Sequence, residues 1–143
     1  DVADDALRKV GFNVDYQLTD WGTLLTRRLK RDPIDQGGWS IAPTGVDGAE
    51  QVTPLTHRYI RGIGPTAAVG WLKSAEIETL WSNFAFEPNE DKRKDIAAQL
   101  QAQVFKDVPS VPLGQYMQPT ALRKNLTGRL DGMTLFWNLR RSA

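Results

Sequence analysis

The sequence predicts an α/β fold, a mixed or parallel sheet flanked by helices, on three observations. A run of alternating apolar and polar residues, Phe12 to Leu18, lies between two segments of helical pattern. A second short apolar run, Trp39 to Thr44, follows the second helix after a brief loop. Two further amphipathic helical patterns occupy the middle of the chain. Helix, strand, helix, strand with short connections is what parallel pairing through right-handed crossovers requires.

Each element has its own local reason. Val2, Ala6, Leu7 and Val10 mark one face of a short helix, and Gly11 supplies a stop just past it. Phe12, Val14, Tyr16 and Leu18 alternate with Asn13, Asp15 and Gln17, the period of a strand. Asp20 is suited to cap the next helix, because its carboxylate can accept a free backbone N–H of the first turn. That helix places Trp21, Leu24, Leu25 and Leu29 on one side and runs out at Asp32-Pro33. Residues 33–38 form a loop leading into the strand Trp39 to Thr44.

Residues 43–73 are rich in Gly and Pro, with one helical turn expected around Leu55 to Ile60. A segment of this length without regular structure is usually functional or disordered. Its apolar residues Tyr59, Ile60, Ile63 and Trp71 favour function. Ser74 then caps a helix with Ile77, Leu80, Trp81 and Phe84 on one face. Glu87-Pro88 breaks it, and Pro88 suits the first position of a following helix. There Ile96, Leu100 and Val104 form the buried stripe, and Val108-Pro109 ends it. Beyond, Val111, Leu113 and Tyr116 suggest a strand that Pro112 confines to an edge. Because the chain opens on a helix with no strand before it, and without an initiating Met, the expectation is a processed protein or an excised piece whose N-terminal sheet partner is missing.

Composition narrows the function. The 143 residues suffice for one domain, and 41% apolar with 24% charged residues is ordinary for a globular chain. Eighteen Lys and Arg against 17 Asp and Glu leave a formal charge of +1, too little basic excess for a dedicated nucleic-acid surface. The basic runs at Arg27-Arg28 and Lys92-Arg93-Lys94 read as solvated helix faces. Without Cys there is no disulfide framework and no thiolate chemistry. His57 is the sole histidine, so neither a zinc site of the usual kind nor a Ser–His pair is expected, and no Gly-x-Ser-x-Gly elbow surrounds any serine. Asp1, Asp4 and Asp5 lack the glycine and spacing of a calcium loop. Gly62-Ile63-Gly64-Pro65 lacks both the third glycine and the preceding strand of a nucleotide-binding turn. No enzyme activity and no cofactor are expected, and no stretch approaches the ~20 apolar residues needed to cross a bilayer.

Six segments, in order, carry a resemblance. Leu7-Arg8-Lys9-Val10-Gly11-Phe12-Asn13-Val14 resembles a helix-to-strand passage "L-K-x-x-G-I-x-V". Leu18-Thr19-Asp20-Trp21-Gly22-Thr23-Leu24 resembles a strand-to-helix turn with an aromatic after an acid. Gly38-Trp39-Ser40-Ile41 with Thr44-Gly45 resembles "D-x-x-x-x-G-W". Gly70-Trp71 and Ser74-Ala75-Glu76-Ile77-Glu78-Thr79-Leu80 resemble "G-Y-x-N-P-E-V-D-x-L". Glu87-Pro88-Asn89-Glu90-Asp91-Lys92-Arg93 resembles "D-P-E-K-R", and Asp107-Val108-Pro109-Ser110-Val111-Pro112-Leu113 resembles "D-A-P-x-I-P-L". Together they resemble the C-terminal lobe of the bacterial extracellular solute-binding proteins of family 5, which serve peptide and nickel ABC transporters.

That resemblance implies one lobe of a type II periplasmic-binding-protein-like fold, with residues 1–113 as most of the lobe. Residues 114–143 would return toward the other lobe and place Tyr116, Met117 and Gln118 near the hinge. It implies a peptide-like solute, an ABC transporter membrane permease and the remaining lobe as partners, with no nucleic acid, and self-association of a lone lobe. The location implied is the periplasm, or the cell surface as a lipoprotein in a Gram-positive bacterium. The family's Gly-Trp before the ligand loop is Gly45-Val46 here, and the acid that meets a peptide's amino group is either Asp47 or Glu50.

The candidate ligand-binding residues are therefore Trp21, Gly45, Val46, Asp47 and Trp71. Trp21 follows an expected strand end, where α/β sheets bind ligands; its alternative is packing with Leu24 and Leu25. Asp47 can pair with a cationic ligand end; its alternative is an Asx-type turn with Gly48. Trp71 offers a contact surface in the glycine-rich loop, whereas Trp81 has the spacing of a core residue. A stand-alone protein-protein interaction domain built on the loop-rich region is the rival reading. A small hydrolase, with only His57 as a base, is the weaker third.

Overall fold

The computed structural model describes residues 2–132 and 135–142. The chain divides into two compact units, one ending at Thr44 and the other beginning at Gly45.

The first unit opens with α1 (Val2–Lys9), whose exposed face carries the i,i+4 ion pairs Asp4–Arg8 and Asp5–Lys9, both 2.7 Å. Such pairs add only a few tenths of a kcal/mol each. The helix ends as its glycine predicts. Gly11 takes φ +96°, its N–H donates to Arg8 O, and the Phe12 N–H reaches back to Leu7 O. That is the paired closure of a left-handed C-terminal cap.

Helix α2 (Trp21–Arg27) is capped by Asp20, whose Oδ1 accepts the Thr23 N–H at 3.0 Å while Oδ2 accepts the Thr23 hydroxyl at 2.6 Å. It stops at Arg27, short of the expected Asp32-Pro33. The cause is a turn at Ile34–Gln36 closed by Gly37 at φ +92°, which folds Gly38 back onto Asp32. A Cβ on Gly38 would lie 1.9 Å from Asp32 O, so only glycine fits. Arg27 Nη2 then donates to Gly38 O, and Trp39 Nε1 donates to Arg28 O at 3.1 Å. These bonds draw the exit of α2 into a loop.

The two strands expected here, Phe12 to Leu18 and Trp39 to Thr44, are not formed, and with them the mixed or parallel sheet flanked by helices is absent among the described residues. The alternation is real, but an extended segment becomes a strand only when a neighbour takes up its N–H and C=O groups. Neither segment has a ladder partner, and Phe12, Leu18 and Ile41 stay exposed. The sheet that does form is a two-stranded antiparallel one, β1 (Leu126–Thr127) on β2 (Arg140–Arg141), with Leu126 opposite Arg141. The strand expected at Val111, Leu113 and Tyr116 is likewise an unpaired, exposed segment.

The second unit is built on the helix pair α3 (Ala75–Phe86) and α4 (Glu90–Asp107). Ile77 and Leu100, one from each helix, are almost wholly buried, and Ile60 joins them from the preceding loop. Leu72, Leu80 and Val104 pack around these three. Ser74 caps α3 as expected. The cap of α4 is Asn89, whose Oδ1 accepts the Lys92 N–H at 3.0 Å; Pro88 stands before the helix and not in its first turn. At the other end, Val108 turns left-handed at φ 47° ahead of Pro109. Asp107 there accepts the Ser74 hydroxyl at 2.7 Å and the Gln103 amide at 2.9 Å, fastening the end of α4 to the start of α3.

Candidate functional site

The glycine-rich stretch ahead of α3 is ordered by a few specific contacts. Asp47 caps the turn Gly48–Gln51, its Oδ1 accepting the Ala49 N–H at 3.1 Å. Farther along, the Pro54 carbonyl accepts Trp81 Nε1–H at 2.9 Å. Arg58–Ile60 forms one tight turn that delivers Ile60 to the core. Ile63 bridges Lys73 in antiparallel fashion, with Gly64 N–H on Leu72 O and Ser74 N–H on Gly62 O, so residues 65–71 project as a closed loop.

Trp71 ends that loop in an unusual state. Its N–H closes a turn onto Ala68 O at 2.8 Å, Gly70 lies at φ +107°, and Trp71 itself at φ +51°. A bulky residue in the left-handed region carries of order 1 kcal/mol of strain or more, tolerated where the surroundings or a function demand it. The indole is half-buried.

The base of the loop is fastened by a pair the sequence did not single out. Glu78, in the first turn of α3, accepts Arg61 Nε–H at 2.9 Å and Arg61 Nη2–H at 2.7 Å, and its Oε1 also accepts the Gly62 N–H at 2.7 Å. Arg61 in turn lies over the Trp81 ring, 3.8 Å from its centre. The Arg61 hydrogen bonds hold the Glu78 carboxyl below its ordinary range, against an opposing effect of partial burial. Arg61 and Glu78 stand 17 residues apart, so no local pattern joins them; the signal available was the two glycines Gly62 and Gly64 beside a cation.

Of the candidate residues, Gly45, Val46, Asp47 and Trp71 lie in the second unit and Trp21 in the first. Trp21 occupies the first position of α2 and is 55% exposed, so it is not packed as a core residue. It stands beside a shallow depression lined by Asp20, Thr23, Arg27 and Lys30, without lining it. Gly45 approaches Tyr116 closely enough that a Cβ would meet the phenolic oxygen at 3.1 Å, which joins the expected ligand loop to the segment expected near the hinge. Val46 is half-buried, while Asp47 and Glu50 are exposed on one turn. Asp47 thus adopts the turn-capping alternative, though its exposed carboxylate keeps acceptor capacity. Trp81 is half-buried against Pro54 and Arg61, in keeping with a packing role.

His57 sits half-buried ahead of the Arg58–Ile60 turn without a side-chain capping bond, and burial lowers its pKa. The Ser74 hydroxyl is committed to Asp107. No cluster of three or more metal-binding side chains occurs, and no helix is long and apolar enough to cross a membrane, both among the described residues.

Comparison with known proteins aligns the chain with the solute-binding components of ABC transporters, as the six segments suggested. One relative is the "Probable peptide ABC transporter periplasmic-binding protein y4tO" of Sinorhizobium fredii, 37% identical over 137 residues. The match takes in 95% of this chain and 26% of the relative, so the chain spans about a quarter of that protein's length. No family model matches the chain.

Proposed function

We propose that this chain is part of the ligand-binding lobe of a periplasmic solute-binding protein, a non-enzymatic component of an ABC importer that captures a peptide-like solute between two lobes. The observation that carries this reading is the 37% identity to a periplasmic-binding protein sustained over 95% of the chain. The strained, half-buried Trp71 at the mouth of a glycine-rich loop supports it from the side of geometry, as does Gly45 set against Tyr116.

A clamp of this type gains affinity by burying its ligand between lobes, expelling water and satisfying the ligand's polar ends. In the second unit Trp71 supplies apolar surface, and in the first unit Trp21 offers an exposed aromatic face of its own. The Asp47–Glu50 turn supplies a carboxylate for a cationic end, and the remaining lobe and the membrane permease complete the system. Its place of work is the periplasm or the outer surface of the cell.

Amide NMR spectra of the chain with and without a mixed pool of short peptides test this. The expected outcome is shifts confined to residues near Trp21, Asp47 and Trp71. Spectra that ignore the pool both for the chain alone and after the remaining lobe is supplied would overturn the peptide reading.

A further inference from the structure

We propose that Glu78 is the positioning residue of the Trp71 loop, an anchor whose carboxylate sets the geometry of a ligand contact it does not itself touch. The proposal rests on the reading of Trp71 as a ligand contact and deepens it.

Residue 62 is the point where the loop leaves the body of the second unit. Both of its backbone groups are spoken for by α3: the N–H donates to Glu78 Oε1 at 2.7 Å, and the carbonyl accepts the Ser74 N–H at 3.1 Å. A side chain at 62 would collide with Ser74, a Cβ lying 2.4 Å from Ser74 O, so the backbone is flush against the helix start. From this fixed point Ile63 bridges Lys73 and Gly64 bonds Leu72, and the loop closes on Trp71.

The same carboxylate takes two further N–H groups from Arg61, and Arg61 is braced from behind by the Trp81 ring. Three donors converge on two oxygens. Only a carboxylate meets that demand, since a carboxamide has one acceptor oxygen and would turn N–H groups toward Arg61. The strained backbone at Trp71 must be held by its surroundings, and this knot, together with the Ser74 N–H on Gly62 O, ties the loop's entry to the helix pair.

Glu78→Gln separates positioning from general stability. Hydrogen exchange of the chain is the first readout: exchange at Gly64 and Trp71 is expected to accelerate about tenfold or more relative to Leu100. Asn89→Ala, which weakens the helix pair at its opposite end, serves as control and should leave the Gly64 and Trp71 rates in step with the core. In the second readout, the mixed short-peptide pool should shift Trp71 in the wild type and in Asn89→Ala but far less in Glu78→Gln. Exchange in Glu78→Gln that is unchanged, or that rises equally at Trp71 and Leu100, overturns the anchor. A wild-type Trp71 that ignores the pool while Glu78→Gln still loosens the loop upholds the anchor and overturns the ligand reading instead.

Discussion

At Glu78 the charge state and the local structure are one matter. The folded carboxyl is held below its ordinary value of 4.5, so the deprotonated form is favoured by folding. The stabilisation is therefore fully present above pH ~4.5 and is lost as pH falls through the depressed folded value. Both side chains are about a quarter exposed, so the contribution is modest, ~1 kcal/mol. Thermal unfolding followed from pH 7 to pH 3 should show a fall in stability over that acidic window, which Glu78→Gln reduces; an identical pH profile in the variant would refute the assignment. Residues of this kind are hard to read in a sequence. Asp20 and Ser74 were legible as caps because donor and acceptor lie within three residues. The partners of Glu78 become neighbours only after the loop has folded back.

At the scale of elements, the helices were legible and the strands were not. A helix satisfies its own backbone, so the spacing of Ile77, Leu80, Trp81 and Phe84 sufficed for α3, and Ile96, Leu100 and Val104 for α4. A strand's stability lies in another segment, which the alternation of Phe12 to Leu18 does not name. The start of α4 shows a finer limit. Pro88 is a good first residue of a helix, yet Asn89 behind it is a better cap, and the cap prevailed. Asn89→Ala should cost ~1 kcal/mol in urea unfolding, while Pro88→Ala should change little. A larger loss at Pro88 would contradict the observed boundary. Of the candidate site, the Gly and Pro content marked residues 43–73 as a loop-rich stretch, while the turns and the Ile63–Lys73 bridge that shape it could not be read from that content. The strain at Trp71 was invisible, because nothing in the residue type announces a positive φ.

For the whole molecule the imbalance is between surface and core. Among the described residues the fully buried large apolar side chains are Ile77 and Leu100, while Leu113, Tyr116, Met117 and Trp137 are each at least three-quarters exposed. Apolar surface left open in this way favours association. Sedimentation velocity of the chain by itself should show reversible self-association as concentration rises. A sharp monomer at high concentration would count against it.

The Ser74–Asp107 tie that closes α3 against α4 also bears on the order of assembly. Two helices adjacent in the chain meet at a low entropic cost, because the loop between them is short. The helix pair is then the natural nucleus of the second unit, and the glycine-rich stretch anneals onto it afterwards through Ile60, Gly62 and Trp81. Folding and unfolding rates of conservative variants would display that order: Leu100→Ala slows folding, whereas a change at Ile60 mainly hastens unfolding. If both act alike on the folding rate, the loop and the helices form together. On the sequential order, the last part of the unit to become rigid is the part proposed to meet the solute.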